Sequence, residues 1–435
     1  MNKLLTSSKP SMPMPAKQNY TKLFAGSGAV TLFNALRAFA INKLLAIFLP
    51  PAAFACVGQF LNLMNIGQAT SSLAMQNGWT ALTAQNKDNR EKLLGIWRGG
   101  LRLTTMGSLL TFVVALLFCF MAPLQVLLPG VPTRLAQAAI LFALPGILAT
   151  NIITITAAVM NGLGENRKWA TINMVASVWQ VLWVAFFLYT GRLSVLSIIA
   201  TQSIVAALFA AQIASRAGFS VKYIWKTALD TRGPWLSYAL MGLIPMVLAP
   251  VVLTFIRTIV NMHFGGDAAG IWQSVWKVSD FLFMAMSAIL TVVLLPRVSP
   301  QMTRQEFFSM FHPLLFRIMG ISLVMVGALY FGRSILVQVL FSKAYMGAVD
   351  YLPLQLVGDF FRSGGFALAL VLIARAETKK FLAVEIASEV LLAVGSYVGI
   401  RLFEFNGPMI AYAFENFVYM VVLYIIVRRL KWNTP

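Results

Sequence analysis

The chain has 435 residues, 59% of them hydrophobic and only 11% charged, with a mean hydropathy of +0.78. A soluble domain carries roughly 25% charged residues, so this composition excludes an ordinary soluble protein and indicates a chain that crosses a membrane repeatedly. The formal charge of +20, from 34 Lys and Arg against 14 Asp and Glu, would suggest nucleic acid in a soluble chain, but here its distribution gives a different account.

The first stretch, MNKLLTSSKPSMPMPAKQNYTK, is polar, basic and Pro-containing. It lacks an apolar core followed by a small-residue cleavage site, so a retained cytoplasmic tail over 1–23 is expected. Beyond it, a bilayer-crossing helix needs about 20 mostly apolar residues bounded by polar or turn-forming ones. Twelve such spans are predicted, at about 24–49, 52–84, 99–122, 134–160, 168–189, 193–215, 235–260, 268–295, 309–332, 349–374, 381–402 and 407–428. The second carries Gln59, Asn62, Asn65, Gln68, Gln76 and Asn77. It is too polar to face lipid all round, so it is expected to line an aqueous space or to leave the bilayer in part. Cys56 and Cys119 both fall in apolar spans, which gives no basis for a disulfide framework or redox chemistry.

Lys and Arg accumulate in cytoplasmic loops. With the N-terminus inside, 22 of the 34 lie in inside segments and five in outside loops, placing both termini in the cytoplasm. The longest non-apolar connection, GFSVKYIWKTALDTRGPW at 218–235, divides the chain near its middle. The expected organisation is a six-helix lobe over 24–215, an inter-lobe linker over 216–234, a second six-helix lobe over 235–428 and a cytoplasmic end over 429–435. At a common offset of 212–214, GENRKW meets AETKKF, Lys43 meets Arg257 and Gln59 meets Gln273. Such matches favour a duplication, a plan that puts a transporter's substrate site between the halves.

Seven cations remain inside predicted spans: Arg37, Lys43, Arg102, Arg257, Lys277, Arg317 and Arg362. Each costs about 2.5–3.5 kcal/mol at a helix centre on insertion scales. Arg102 and Arg317 can snorkel to an interface, and Arg257 can do the same from the outer end of its span. Lys277 with Asp280, and Asp359 with Arg362, form i,i+3 pairs that share a helix face. Such pairs suit either a structural role between helices or a place in a site. Span one holds Arg37 and Lys43 without any acid, so the cavity it faces is expected to be net positive and to bind an anion such as pyrophosphate. Asp280, Asp359, Glu385 and Glu389 are the candidates for ion pairing or coupling, beside Glu415. Enzymatic constellations are missing: His263 and His312 are the two histidines, and neither an HExxH motif nor a Walker-type loop occurs. No catalytic residue, metal or cofactor is expected.

The segments GIWQSVWKVSD, LLPRVS and QLVGDFFRSGG resemble the Wzx flippases of lipid-linked oligosaccharides, most of all those for the enterobacterial common antigen unit, lipid III. That family lies in the MOP superfamily with the MATE drug exporters and the lipid II flippases. The resemblance covers nearly all the chain after the tail. It implies a twelve-helix, two-lobed, V-shaped carrier in the bacterial inner membrane. Such a carrier moves an undecaprenyl-pyrophosphate-linked unit, for O-antigen or common antigen, from the cytoplasmic to the periplasmic leaflet. By matching motif, Lys43, Arg257, Asp280, Asp359 and Glu385 fall at positions that are charged in the family, while Lys277 and Arg362 fall in matching segments. The expected partners are the lipid-linked substrate, bilayer lipids, and the polysaccharide polymerase and chain-length regulator of the same route. The alternative is a MATE-like cation-coupled exporter, for which the cations of span one are the wrong sign. A lipid II flippase would need fourteen spans, and a membrane glycosyltransferase a large outer loop that is absent.

The orientation has a direct test. Reporter fusions after Lys9, Trp225 and Trp432 are expected to report the cytoplasm in all three cases, and a periplasmic signal at Trp225 would contradict the six-plus-six division.

Overall fold

The computed structural model describes residues 20–219, 221, 224, 233–294, 297–298, 302–375 and 377–432. Most of the expected N-terminal tail and inter-lobe linker, and the last three residues, lie outside the described residues. The helices are α1 (Tyr20–Phe48), α2 (Pro51–Ser72), α3 (Gln76–Asn86), α4 (Arg90–Met121), the short α5 (Leu124–Leu127), α6 (Thr133–Gly162) and α7 (Asn166–Thr190). After them come α8 (Val195–Thr201), α9 (Ile204–Arg216), α10 (Gly233–Leu294), α11 (Arg304–Leu340), α12 (Ala348–Ala374), α13 (Thr378–Phe403) and α14 (Gly407–Arg428). No β-strand occurs among the described residues.

By length and composition, nine stretches among the described residues can cross a membrane, two of which, at 242–287 and 378–428, hold two helical segments apiece. The first is α10, whose regular geometry breaks at Gly265 (φ 86°, ψ 172°). Arg257 donates a hydrogen bond to Gln273 across this break. Residues sixteen apart on a straight helix are about 24 Å apart, so the chain folds back at Gly265 and the arms 233–264 and 266–294 run side by side. The positive φ is one that glycine adopts without strain. With α2, which is too polar to qualify by hydropathy, these stretches account for the twelve expected crossings.

Two predicted spans are interrupted. Span two ends as α2 at Leu73 and Ala74, both left-handed (φ 51° and 50°), and resumes as α3. The Ala74 amide donates back to the Ala69 carbonyl at 2.9 Å, closing the helix end. Span six is divided at Gln202 and Ser203 into α8 and α9. Nothing in the local sequence announces either break, since neither place carries Gly or Pro. Elsewhere the ends follow ordinary chemistry. Asn89 caps α4 by accepting from the Lys92 amide, and a Thr303–Glu306 capping box starts α11. Within the two matched segments the same ion pair recurs, Glu165 with Lys168 at 3.1 Å and Glu377 with Lys380 at 3.0 Å.

Within the first half, α1 packs on α7, and α6 packs on α3, α7, α8 and α9. Within the second, α12 and α13 pack on α14, and α11 on α12. The most extensive contact of all crosses the halves, between α2 and α10. A buried apolar cluster marks that junction, with Leu45, Phe54, Trp272, Phe341 and Tyr345 among its members. Phe54 meets Phe341 and Tyr345 edge-on at 5.9 and 5.5 Å, and the Tyr345 hydroxyl donates to the Leu49 carbonyl at 3.0 Å. Outward faces remain apolar, as Leu110, Phe120, Phe186, Phe316 and Phe331 show, which suits contact with lipid. Cys56 and Cys119 are free and buried.

The junction depends on close backbone approach. A Cβ on Gly270 would lie 2.0 Å from the Pro51 carbonyl oxygen, whereas one on Gly320 meets nothing within 4 Å. Gly270→Ala is therefore expected to destabilise the protein by about 1–3 kcal/mol through overpacking. Gly320→Ala is expected to be neutral or slightly stabilising. Thermal melting in one detergent separates the two.

Candidate functional site

A cavity of about 530 Å³ opens between α2 and the second half. It is lined by Asn62 and Asn65 of α2, Arg257, Lys277, Asp280 and Phe283 of α10, Arg362 of α12, Glu385 and Glu389 of α13, and Tyr412 and Glu415 of α14. A second chamber of about 520 Å³ lies in the first half and shares Leu61 and Asn65 with it. Arg37 is the one charged residue on that second wall; the polar remainder is amides and hydroxyls, including Asn34, Gln68, Asn173, Gln180 and Gln202.

The cations differ in what holds them. Lys277 donates to Asp280 Oδ2 at 2.9 Å, and their side chains are 24% and 37% exposed to the cavity space. The pair therefore faces the opening and is not locked between helices. Arg257 does not snorkel from the end of its span: it is 3% exposed. Its Nε and Nη2 donate to Gln273 Oε1 and its Nη1 to Gln59 Oε1 at 2.7 Å. Gln59 in turn donates to the Thr254 carbonyl and to Thr258 Oγ1, at 3.2 and 3.0 Å. Arg257 thus joins α2 to both arms of α10 through the two glutamines that the sequence repeat paired. Lys43 stands apart from both chambers. Its ammonium donates to the carbonyls of Gln338, at 2.8 Å, and Phe341, so it caps the C-terminal end of α11 from α1.

Asp359 and Arg362 do not form the direct pair their spacing suggests. Asp359, 3% exposed, accepts from Ser279 Oγ and the Tyr412 hydroxyl, both at 2.8 Å. Arg362 donates to that same hydroxyl at 3.3 Å and lies over the Phe283 ring, 3.7 Å from its centroid. Tyr412 therefore stands between the two charges. On α13, Glu385 accepts from Tyr419, and Glu415 of α14 accepts from Ser388. Arg37 donates to Gln180 Oε1 at 2.5 Å.

Charge across the two chambers is segregated instead of uniformly positive. Arg37 has the first-half chamber to itself, while the larger cavity sets Arg257, Lys277 and Arg362 against Asp280, Glu385, Glu389 and Glu415. The net-positive cavity expected from span one holds for the first half alone, because the acids arrive from α10, α13 and α14. No group of three or more His, Cys, Asp or Glu able to hold a metal occurs among the described residues. Tyr412, Tyr419 and the amides of α1 and α7 were not among the candidate site residues, and Glu415 was noted as an intramembrane acid without a role. Tyr412, Glu415 and Tyr419 recur at i, i+3 and i+7 along one face of an otherwise apolar helix, which is the signal that could have found them.

Among the described residues the chain is helical with several stretches able to cross a membrane, and its fold is MATE-like. Solved structures agree. An inward-facing multidrug resistance MATE family transporter of the MOP superfamily matches with TM-score 0.70 at 14% identity, over 92% of this chain and 94% of that one. The lipid II flippase MurJ in an inward closed conformation matches with TM-score 0.67 at 13% identity, over 94% and 88%. In sequence the chain is homologous to proteins named Lipid III flippase. It is 25% identical over 379 residues, 85% of this chain and 88% of the relative, to those of Escherichia coli K12 and Shigella flexneri. These relatives are transporters, not enzymes. No family model matches the chain.

The partners predict unequal costs of truncation. Lys277→Ala and Asp280→Ala are each expected to change stability by under about 1 kcal/mol, as for a solvated pair. Arg257→Ala leaves two buried glutamine oxygens without their donor and is expected to cost about 2–4 kcal/mol. Melting of the three purified variants checks the order, which the opposite ranking would contradict.

Proposed function

We propose that the chain is a flippase of the bacterial inner membrane. In this reading it moves an undecaprenyl-pyrophosphate-linked oligosaccharide, an O-antigen unit or lipid III, from the cytoplasmic to the periplasmic leaflet by alternating access. The observation that carries the reading is Arg362. Its guanidinium borders the central cavity, held by a phenol and an aromatic face and by no direct carboxylate. A cation so held keeps donors for an incoming phosphate oxygen. Lys277 complements it, since Asp280 can release the ammonium when a stronger anion enters. The homology to lipid III flippases supports the same substrate class.

In this scheme the pyrophosphate bridges Lys277 and Arg362. Arg257 and Lys43 hold helices of the two halves together on the resting side, and exchange of partners at Asp280 supplies the difference between states that a conformational cycle requires. Asp359, Glu385 and Glu389 serve coupling: each borders or backs the cavity and is hydrogen-bonded or close to Arg362's wall. The acids of α13 and α14 also favour a second reading, a cation-coupled exporter of cationic compounds, because they would attract such a substrate.

The test is flipping of undecaprenyl-pyrophosphate-linked oligosaccharide in proteoliposomes. Arg362→Ala is expected to lower the rate at least tenfold at equal protein level, with Arg362→Lys in between. Wild-type rates in Arg362→Ala would remove the anion site. Efflux of a cationic dye, with no lipid movement, would establish the exporter instead.

A further inference from the structure

The first-half chamber takes no part in holding a pyrophosphate at Lys277 and Arg362, yet its volume of about 520 Å³ is close to the 530 Å³ of the cavity that does. Its wall is unusual for the interior of a membrane helix set. Side-chain amides converge on it from α1, α2, α7 and the α8–α9 break, and among the described residues no acid and no aromatic ring lines it. Part of this polarity is already ordered. Arg37 donates to Gln180, Gln180 Nε2 donates to Ser203 Oγ at 3.0 Å, and Ser177 Oγ donates to Asn34 Oδ1 at 3.0 Å. Part is left over. Arg37 Nε and Gln202 Oε1 are buried without a hydrogen-bond partner among the described residues. A buried donor and a buried acceptor without protein partners are costly, and on the wall of a polar chamber they are open to completion by a ligand or by water.

We infer that this chamber is the saccharide-binding half of the transport site, taking the sugar units while the pyrophosphate occupies Lys277 and Arg362. The inference rests on the flippase reading and adds to it which side chains meet the glycan. Sugar hydroxyls and acetamido groups are donors and acceptors at once, and side-chain amides are the groups that answer both. A drug-like cation would find no carboxylate on this lining, and the apolar side chains there, such as Ile41, Met64 and Ile153, alternate with the amides as the faces of a sugar ring alternate with its hydroxyls. Arg37 contributes charge-assisted donors to a sugar oxygen, strongest when that oxygen belongs to a carboxylate. The two cavities adjoin, since Leu61 and Asn65 line both, so a sugar attached to a pyrophosphate at Lys277 and Arg362 has the chamber as its neighbouring polar space.

The test uses the full-length protein in nanodiscs and two probes: undecaprenyl pyrophosphate, and the same lipid bearing a short oligosaccharide that contains N-acetylhexosamine. Wild type is expected to bind the glycosylated lipid at least tenfold more tightly. Gln202→Leu is expected to lose most of that difference while keeping its melting temperature, because it removes a group that has no partner in the protein. Arg362→Gln is expected to weaken both lipids alike. Equal binding of the two lipids by wild type, or equal weakening of both by Gln202→Leu, would overturn the saccharide assignment and leave the pyrophosphate site standing. Wild-type preference retained in both Gln202→Leu and Arg37→Gln would overturn it too. Failure of wild type to bind either lipid would remove the flippase reading and this inference together.

Discussion

A charge inside hydrocarbon has to be met by something polar, and in this protein the nature of the partner decides the role of the charge. Arg257 and Lys43 are met by neutral oxygens, two glutamine amides in one case and backbone carbonyls at a helix end in the other. Each bonds acceptors on other helix segments, so they act as ties between helices. Lys277 is met by a carboxylate in a part-open cavity, and Arg362 by a phenol and a ring. Under the proposed function, those are the partners that an incoming anion would replace.

The same constraint shapes the fold. Because α2 carries amides, it cannot turn all its faces to lipid, so it lies against α10, where Gln59 and Asn62 reach Thr254 and Thr258. That contact needs α10 folded back at Gly265, which brings Gln273 beside Arg257, and it needs the bare backbone of Gly270 against Pro51. The polar seam, the hairpin and the close approach are therefore one arrangement. Its effect is to leave polar space on both sides of α2, one chamber facing the acids and cations of α10 to α14, the other facing the amides of α1 and α7.

Much of this was legible in the sequence. Span limits were, because the bilayer imposes a length of about 20 apolar residues and the ends carry Pro, Gly or charge; predicted 349–374 and 407–428 coincide closely with α12 and α14. The polar character of α2 was legible, as was the pairing of Lys277 with Asp280, since both depend on spacing along one helix. What failed involved partners distant in the chain. Lys43 was expected in a cavity, but it reaches carbonyls nearly 300 residues away, and a carbonyl leaves no trace in composition. Asp359 and Arg362 have the spacing of a pair, yet Tyr412 from α14 comes between them. The breaks after α2 and α8 fall on residues of ordinary helical propensity, so propensity alone did not announce them. Isolated amides such as Asn173 and Gln202 signify little singly, and only the fold assembles them on one wall.

The central claim is that exchangeable cations, not the buried ties, receive the anion. The most direct measurement is a cryo-electron microscopy structure of the protein in nanodiscs with an undecaprenyl-pyrophosphate-linked oligosaccharide bound. This account predicts density for the two phosphates between Lys277 and Arg362, with Arg257 still on Gln59 and Gln273 and Lys43 still on the end of α11. Phosphate density on Lys43 or Arg257, with Lys277 and Arg362 undisturbed, would contradict it.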